Sequence, residues 1–317
     1  MDSYRGVRFD VSRVAPAQED MVGAESVGSN LRRGCVCGVL LSDAALSLKA
    51  FAKINTQLRV GPLRASGLHD ILSVVEAIDL YDTITLRPVE AMRVTCSVEE
   101  LSGESNIVAK AIRLMKEVVD VPPLAIHIEK QIPIQAGLGG GSSDAAAAIR
   151  GASALAGHSV PKAVLQDVAL ACGSDVPFFL GESTAAVVSG CGQVRESLES
   201  RPRLLCIAKP STGVSTAGAY SALDRIGVRE DLGDITDPNA LENDFDAVAP
   251  AECLDIMERM VNLGAECAHL CGSGSAVYGL FTDEERCNTA QSRFEQAGMW
   301  SRVCKTLDRW EHQTWMR

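Results

Sequence analysis

The sequence predicts an α+β fold, and three features of the chain carry that prediction. Helical and extended segments interleave without the regular strand–helix–strand rhythm of a doubly wound parallel sheet. The 317 residues suffice for one large domain or two closely packed ones. Hydrophobic residues make up 46% of the chain and charged residues 22%, which is typical of a globular protein with a sizeable core.

The chain begins with a segment that lacks hydrophobic periodicity, residues 1–45, which we expect to form a mobile N-terminal extension. The ordered part is predicted to start with a strand over 46–52, where apolar residues alternate, and to continue as a second extended run over 53–60. A helix is predicted over 107–119, because its apolar residues recur on one helical face and the preceding Asn106 is a typical N-cap.

Later elements follow from turn residues and apolar runs. Pro161 is predicted to open a helix and Gly173 to end it, because proline suits the first helical turn and glycine suits the position after the last. An alanine-rich helix is predicted over 143–156. Extended segments are predicted over 124–130, 185–189, 204–209 and 276–281, the last of them after a glycine turn over 271–275.

The loop before the alanine-rich helix is the most informative segment of the chain. From Pro133 to Ser143 it reads Pro-Ile-Gln-Ala-Gly-Leu-Gly-Gly-Gly-Ser-Ser, and four of the five residues over 137–141 are glycine. Glycine lets the backbone approach an anion closely, and the following helix presents unpaired N–H groups and the positive end of its dipole. The spacing matches neither G-x-x-x-x-G-K-[ST] nor G-x-G-x-x-G. A flexible turn is the alternative, and the length of the glycine run favours a phosphate-binding loop.

Charge and composition exclude several classes of function. The formal net charge is −11 and no run of lysine and arginine occurs, so nucleic acid and anionic membranes are not expected partners. No apolar run approaches the ~18 residues that suggest a membrane span. The 11 cysteines form no C-x-x-C pair, which favours reduced thiols over a structural zinc site and indicates a cytoplasmic protein.

Phosphoryl transfer needs a charge stabiliser and a group that handles the acceptor's proton, besides a phosphate-binding loop. Asp175, which follows the helix ending at Gly173, is a candidate general base. Lys53, in an extended run, is a candidate for neutralising developing charge and for holding Asp175 ionised. Each residue alone is better explained as a loop carboxylate or a solvated strand lysine, so the hypothesis depends on their meeting in the fold.

Three segments together resemble the GHMP kinase superfamily of ATP-dependent small-molecule kinases, namely Ala52–Asn55, the glycine loop and Gly272–Ser275. The resemblance implies a two-domain α+β fold, with an N-terminal domain like ribosomal protein S5 domain 2 over 46–187 and a ferredoxin-like C-terminal domain over 188–317. It also implies ATP in the cleft between the domains, with Mg²⁺ bridging its phosphates. The protein ligands of the metal stay open, since capping explains Ser143 as well as metal binding does.

Further segments, in the same order along the chain, resemble one branch of this superfamily. That branch phosphorylates the 2-hydroxyl of a small-molecule methylerythritol substrate linked to cytidine diphosphate, in non-mevalonate isoprenoid precursor biosynthesis. The resemblance runs from about residue 46 to the C-terminal region. The segments that carry it are Gly67–His69, Asp79–Asp82, Ser105–Asn106, Lys130–Pro133, Gly173–Pro177, Val214–Tyr220 and Asn243–Phe245.

The resemblance assigns roles to matching positions. Asp175 matches the catalytic base, and Lys53 matches the lysine that contacts it. His69 matches the residue that hydrogen-bonds the cytosine, and Tyr220 lies in the matching segment for stacking on the base. The remaining matches are Asn55 and Thr216 for the substrate, and Asn106, Lys130, Pro133, Gly137, Gly139, Gly140, Gly141, Ser142 and Ser143 for ATP.

One departure from the branch pattern keeps other functions open. Leu68 stands where the branch usually has an aromatic residue before the cytosine-binding histidine, so aromatic stacking from that position is lost. The alternatives are a GHMP kinase for homoserine, mevalonate or a sugar, and a catalytically silent nucleotide-binding protein. Retention of both Lys53 and Asp175 argues against the silent protein, which has no chemical need for them. A monomer and a homodimer are both compatible with the sequence.

Overall fold

The computed structural model describes residues 45–65, 67–237, 239–311 and 313–316. In chain order the described strands are Ala45–Leu63 (β1), His69–Pro88 (β2), Arg93–Cys96 (β3), Leu124–Glu129 (β4), Ala185–Gly190 (β5), Gln193–Leu198 (β6), Leu204–Lys209 (β7), Glu242–Asn243 (β8), Cys267–Leu270 (β9), Val277–Phe281 (β10), Trp300–Lys305 (β11) and Gln313–Met316 (β12). The described α-helices are Ile107–Val118 (α1), Gly140–Leu155 (α2), Lys162–Cys172 (α3), Val176–Leu180 (α4), Thr216–Ile226 (α5), Ala251–Asn262 (α6) and Glu284–Gln296 (α7). The predicted mobile extension over 1–45 lies outside the described residues, except that residue 45 begins β1.

The larger sheet is built on the long antiparallel pair β1 and β2, which a tight turn joins. The prediction of two separate extended runs over 46–60 is wrong, because β1 is one strand that continues to Leu63. Its pairing with β2 shifts register at three places. The turn-like residues Gly61–Pro62 lie at the last of these shifts, and no such residues mark the other two. Among the described strands, β12, β1, β2, β4 and β3 lie side by side, and β5, β6 and β8 attach to this path.

Helices α1 to α4 pack with the larger sheet around one hydrophobic core. The predicted cap of α1 is confirmed, because Asn106 Oδ1 accepts a hydrogen bond from the backbone N–H of Val108 at 2.8 Å. Helix α3 begins after Pro161 and ends before Gly173, as predicted. Helix α2 begins at Gly140 and not at Ser143, so the last two glycines of the loop form its first turn. None of the described helices is long and apolar enough to cross a membrane.

The smaller sheet is antiparallel, with the strand order β11, β7, β10, β9 among the described residues. Numbered within this unit, the order is fourth, first, third, second, with helices between the first and second and between the third and fourth strands. That arrangement is ferredoxin-like and confirms the fold predicted for the C-terminal half. Its core lies between the sheet and α5, α6 and α7.

The later part of the chain returns to the larger sheet. Strand β12 pairs with β1, and the backbone N–H of Leu307 donates to the carbonyl of Ala77 at 2.9 Å. The predicted domain boundary between residues 187 and 188 falls inside β5, and β6 still belongs to the larger sheet. The boundary stays a prediction, with the first strand of the smaller sheet beginning at Leu204.

Candidate active site

Lys53 and Asp175, which are distant in sequence, lie side by side in the fold. Lys53 is on β1 with its side chain 6% exposed, and its Nζ lies 3.7 Å from Oδ2 of Asp175, whose side chain is 41% exposed. Asp175 precedes the short helix α4 directly. The ammonium also donates to Asn55 Oδ1 at 2.7 Å, and Asn55 Nδ2 donates to Ser73 Oγ at 2.8 Å. A buried cation therefore faces an accessible carboxylate.

The glycine loop closes directly over this pair. The backbone N–H of Lys53 donates to the carbonyl of Leu138 at 3.0 Å. Gly139 has a φ of 71°, and a Cβ there would come within 3.0 Å of both Lys53 Cγ and Phe179 Cζ. Glycine is required here for two reasons: other residues rarely adopt this φ, and a side chain would collide with Lys53 and Phe179. The start of α2, which has no side-chain cap, thus lies next to the lysine.

Four predicted ATP-site residues of the loop differ in how deeply they are buried. Ser143 is buried, and its backbone N–H donates to the carbonyl of Gly139 at 2.9 Å, which closes the first turn of α2. Ser142 and Pro133 are half-buried and Gly141 is exposed. The first backbone N–H groups of an α-helix have no partner within the helix. The first turn of α2 therefore has the N–H donors that the predicted anion site needs.

A second glycine turn, from Cys271 to Ser275, completes the loop's surroundings. A Cβ on Gly137 would lie 1.7 Å from the carbonyl oxygen of Cys271, so the two backbones touch. A Cβ on Gly272 would lie 3.3 Å from Lys53 Nζ. The backbone N–H of Ala276 also donates to the carbonyl of Ala136 at 3.2 Å. The two glycine segments and Lys53 thus form one continuous site between the two sheets.

Lys130 is held beneath the loop by two buried carboxylates. Its Nζ donates to Asp82 Oδ2 at 2.5 Å and to Asp144 Oδ2 at 2.9 Å, and it lies 3.3 Å from where a Cβ on Gly140 would be. Burial, opposed by the charge of Lys130 and aided by that of Asp82, raises the pKa of Asp144 to about 7. Lys130 therefore lies against the backbone of the glycine loop, with its ammonium bound to the two carboxylates.

Asn106, another predicted ATP-site residue, has its amide committed to the local structure. Besides accepting from Val108, its Nδ2 donates to the carbonyl of Leu101 at 2.6 Å. The side chain fixes the start of α1, which packs against α2.

The predicted base-binding residues meet at the hairpin turn between β1 and β2. His69 stacks on Tyr220 of α5, with ring centroids 4.9 Å apart and ring planes 22° apart. Its Nδ1 lies 2.8 Å from the carbonyl oxygen of Gly61, and its Nε2 lies 3.5 Å from Oδ1 of Asp224. Burial, and then the charge of Asp175, raise the pKa of Tyr220 to about 12, so the phenol stays neutral. Tyr220 therefore lies within electrostatic range of Asp175.

Thr216 lies at the other end of the same helix. It is the first residue of α5, and Ser273 Oγ donates to its hydroxyl oxygen at 3.4 Å. This contact joins the predicted substrate segment to the second glycine turn.

Sequence reasoning missed three charged residues of the site, namely Asp82, Asp144 and Asp224. Asp82 carried a signal, because a carboxylate in the middle of an apolar strand needs a partner when it is buried. Asp144 and Asp224 resemble ordinary helix residues until the fold brings them to Lys130 and His69. Among the described residues no group of three or more His, Cys, Asp or Glu side chains could hold a metal ion.

Comparison with known proteins agrees with this geometry. Residues 106–183 match the family model described as the GHMP kinases N terminal domain. A 4-diphosphocytidyl-2-C-methyl-D-erythritol kinase of Geobacter metallireducens is 36% identical over 271 residues, covering 81% of this chain and 96% of its own. That of Chlorobium phaeobacteroides is 35% identical over 270 residues, covering 79% and 94% respectively.

Solved structures agree as well. A crystal structure of 4-(cytidine 5'-diphospho)-2C-methyl-D-erythritol kinase matches with a TM-score of 0.70 and 28% identity, over 82% of this chain and 98% of that one. A homoserine kinase from Cytophaga hutchinsonii matches with a TM-score of 0.61 at 17% identity, over 90% of this chain and 100% of its own, and shows the shared fold.

The two-sheet fold and the glycine loop over Lys53 and Asp175 define a small-molecule kinase of the GHMP class. Within that class the resemblance to one branch is confirmed. The chain belongs to the 4-diphosphocytidyl-2-C-methyl-D-erythritol kinase family.

Proposed function

We propose that this enzyme transfers the γ-phosphoryl group of ATP to the 2-hydroxyl of 4-diphosphocytidyl-2-C-methyl-D-erythritol, in non-mevalonate isoprenoid precursor biosynthesis. The observation that carries the proposal is the Lys53–Asp175 pair, with Nζ and Oδ2 3.7 Å apart, directly beneath the glycine loop. A base, a cation and an anion-binding loop in one place are what phosphoryl transfer requires. The names of the relatives supply the acceptor.

The glycine loop binds the phosphates of ATP in this proposal. Four of the five residues over 137–141 are glycine and the side chain of Leu138 is buried, so no side chain of this segment keeps an anion away. The first turn of α2 adds N–H donors and the positive end of the helix dipole. Lys53, buried at the base of the loop, neutralises charge on the phosphoryl group in flight. A cation with little water around it stabilises that charge more strongly than a solvated one.

Asp175 accepts the proton of the acceptor hydroxyl. Its carboxylate is 41% exposed and therefore accessible to a substrate, and it lies beside the ammonium of Lys53, as a positioned general base requires. Asn55, which holds the lysine through Oδ1, keeps the ammonium aimed at the reacting groups. Proton acceptance by a positioned side chain accounts for roughly 10²- to 10⁴-fold of a rate.

Mg²⁺ fits the site as a partner of the phosphates. When bound, it neutralises charge on the phosphate oxygens and orients them. The hydroxyls of Ser142 and Ser143, at the start of α2, are oxygen donors of the kind Mg²⁺ prefers. Mg²⁺ usually keeps several waters and takes only one or two protein carboxylates, which suits a site without a dedicated acidic cluster among the described residues.

The cytidine end of the acceptor is proposed to occupy the pocket of His69, Tyr220 and Thr216. Tyr220 stacks on the imidazole, so a base that lies edge to edge with His69 can stack on the same face of Tyr220. Leu68, half-buried beside His69, supplies apolar contact in place of a second ring. Asn106, Lys130 and Pro133 are proposed to shape the ATP site.

The test is ADP release by the purified protein with ATP and Mg²⁺. The acceptors are 4-diphosphocytidyl-2-C-methyl-D-erythritol, the non-cytidylylated methylerythritol phosphate, homoserine and mevalonate. The proposal predicts turnover with the cytidylylated acceptor alone. Turnover with another acceptor and not with this one would contradict it, as would ATP binding without phosphorylation of any acceptor.

A further inference from the structure

The exposed carboxylate of Asp224 faces the imidazole of His69. Asp224 lies one helical turn after Tyr220 on α5, so both side chains lie on the same face of the helix. The Asp224 side chain is 45% exposed, whereas that of His69 is only 6% exposed. The 3.5 Å between Asp224 Oδ1 and His69 Nε2 leaves the two groups in contact but beyond good hydrogen-bond distance.

The hydrogen bond on the other side of the ring fixes what Nε2 can do. Nδ1 lies 2.8 Å from the carbonyl oxygen of Gly61, which only accepts hydrogen bonds, so Nδ1 carries the hydrogen. In a neutral imidazole the other nitrogen is then an acceptor. When the imidazole is neutral, Nε2 and the Asp224 carboxylate are two acceptors that face each other, and stacking on Tyr220 holds the ring plane. A ligand with two hydrogens on one atom would satisfy both.

We propose that Asp224 is a specificity-determining residue that reads the 4-amino group of cytosine together with His69. The amino group donates one hydrogen to His69 Nε2 and the other to the Asp224 carboxylate. This inference rests on the proposed function, since it assumes that the cytidine end of the acceptor occupies this pocket. It adds a reason for choosing cytosine over uracil, which a stacking ring cannot supply because every base has a π-face.

The chemistry of the two bases makes the discrimination sharp. Uracil presents a carbonyl oxygen where cytosine presents the amino group, so uracil would place a third acceptor between two others. A site built to receive donors rejects an acceptor strongly, because its own polar groups are left unpaired. One nitrogen that donates to two acceptors at ordinary distances holds them about 5 Å apart. Asp224, half exposed at the end of its helix, has room to rotate by that amount.

The test compares kcat/KM for the cytidylylated acceptor with that for its uridine counterpart, in the native enzyme and in Asp224→Asn. The amide of asparagine can donate to the uracil carbonyl as well as accept from cytosine. We expect the native enzyme to prefer cytidine and the variant to lose roughly 10- to 100-fold of that preference, mainly through KM. The KM for ATP should not change. Arg225→Gln, the next residue on the same helix and also exposed, is the matched control and should keep the native preference.

Binding of cytidine 5'-diphosphate and uridine 5'-diphosphate, measured by calorimetry, separates this inference from the proposed function. A cytidine preference that Asp224→Asn abolishes supports the inference even if no acceptor is phosphorylated. An equal loss of affinity for both nucleotides would overturn it and would make His69 and Asp224 a structural ion pair. An unchanged preference in the variant would overturn it as well, while turnover of the cytidylylated acceptor would still support the proposed function.

Discussion

The two lysines of the site show that residue type alone does not assign a role. Lys53 lies against Asn55 and an accessible carboxylate, so its charge faces the place where a substrate would react. Lys130 is just as buried, but its ammonium donates to two carboxylates inside the protein, Asp82 and Asp144. In the proposed function, Lys53 faces the reacting groups, and Lys130 holds the loop that binds the phosphates.

Replacing Lys130 is predicted to destabilise the protein. In Lys130→Met the carboxylates of Asp82 and Asp144 are left buried together without a cation. Removing one partner of a buried ion pair costs about 3–5 kcal/mol of unfolding free energy. Chemical denaturation of the variant and the native protein measures this loss.

The exposed pair of Lys162 and Glu182 provides the matched control, since both side chains are more than four-fifths exposed. Lys162→Met is expected to leave the denaturation midpoint unchanged, because solvent screens such pairs. Equal midpoints for Lys130→Met and Lys162→Met would show that the buried cluster does not stabilise the fold.

At the scale of elements, the phosphate site depends on contact between two glycine segments. Gly137 and Gly157 have nearly the same backbone conformation, with φ values of 77° and 75°. A Cβ on Gly137 would collide with the Cys271 carbonyl oxygen at 1.7 Å, whereas a Cβ on Gly157 would meet nothing within 4 Å. The pair separates steric conflict from conformational strain.

Gly137→Ala is therefore predicted to lose ATP binding, because the loop must move away from the second glycine turn. Gly157→Ala carries only the strain of a left-handed alanine, about 1–2 kcal/mol, and is expected to keep native affinity for ATP. Equilibrium binding of ATP, measured on both folded variants, makes the comparison. Native affinity in Gly137→Ala would contradict the role assigned to this contact.

Elements marked by local chemistry could be predicted from the sequence, and those fixed by distant contacts could not. The cap at Asn106 and the proline and glycine around α3 act within a few residues, so the sequence predicts these helix boundaries. The start of α2 was misplaced, since a serine cap was expected and the helix instead begins within the glycine run. Strand β1 is unbroken because it pairs with β2 along almost its whole length, a long-range contact that the residues of β1 alone do not indicate.

The candidate site divides in the same way. The loop and the Lys53–Asp175 hypothesis came from residue types and resemblance, and the structure brings those two side chains together. The cluster around Lys130 joins a strand, a loop and a helix that no local pattern relates. The same holds for Asp224, whose proposed role depends on its contact with His69, a residue of β2 that is distant in sequence.

At the scale of the whole molecule, ion pairs tie separate segments together and make stability depend on pH. His269 on β9 hydrogen-bonds Asp246 at 2.7 Å, and Asp246 also accepts from the backbone N–H of Leu270. Burial alone would lower the pKa of His269, but the hydrogen bond to Asp246 and its charge, together with the neighbouring Cys267, outweigh burial and raise that pKa to about 9. The protonated imidazole is thus stabilised in the folded state.

The sign of the pH effect follows from a folded pKa above the ordinary value of 6.5. The stabilisation is complete below about pH 6.5 and is lost as the pH rises through about 9. We expect a loss of about 1–2 kcal/mol of unfolding free energy over that range, since the pair is partly solvated. Denaturation at several pH values should show this slope in the native protein and a flatter one in His269→Gln. An identical slope in both would contradict the assignment, and exposed His158→Gln is the control.

In the proposed function, the glycine loop beside the larger sheet binds ATP, and α5, which packs in the core of the smaller sheet, helps to form the acceptor pocket. Lys53 and Asp175 lie where the two meet, and the second glycine turn from the smaller sheet touches both the loop and Lys53. In the proposed function, the carboxylate of Asp175 is the single proton acceptor.

The most direct measurement is single-turnover phosphorylation of the cytidylylated acceptor by Asp175→Asn, with ATP affinity measured on the same sample. We predict a fall in rate of roughly 10²- to 10⁴-fold with ATP affinity unchanged, because asparagine keeps the shape of the side chain but cannot take the proton. Asp167→Asn, an exposed carboxylate on α3, is the control and should retain the native rate. A native rate in Asp175→Asn would contradict the central claim and remove Asp175 from the mechanism.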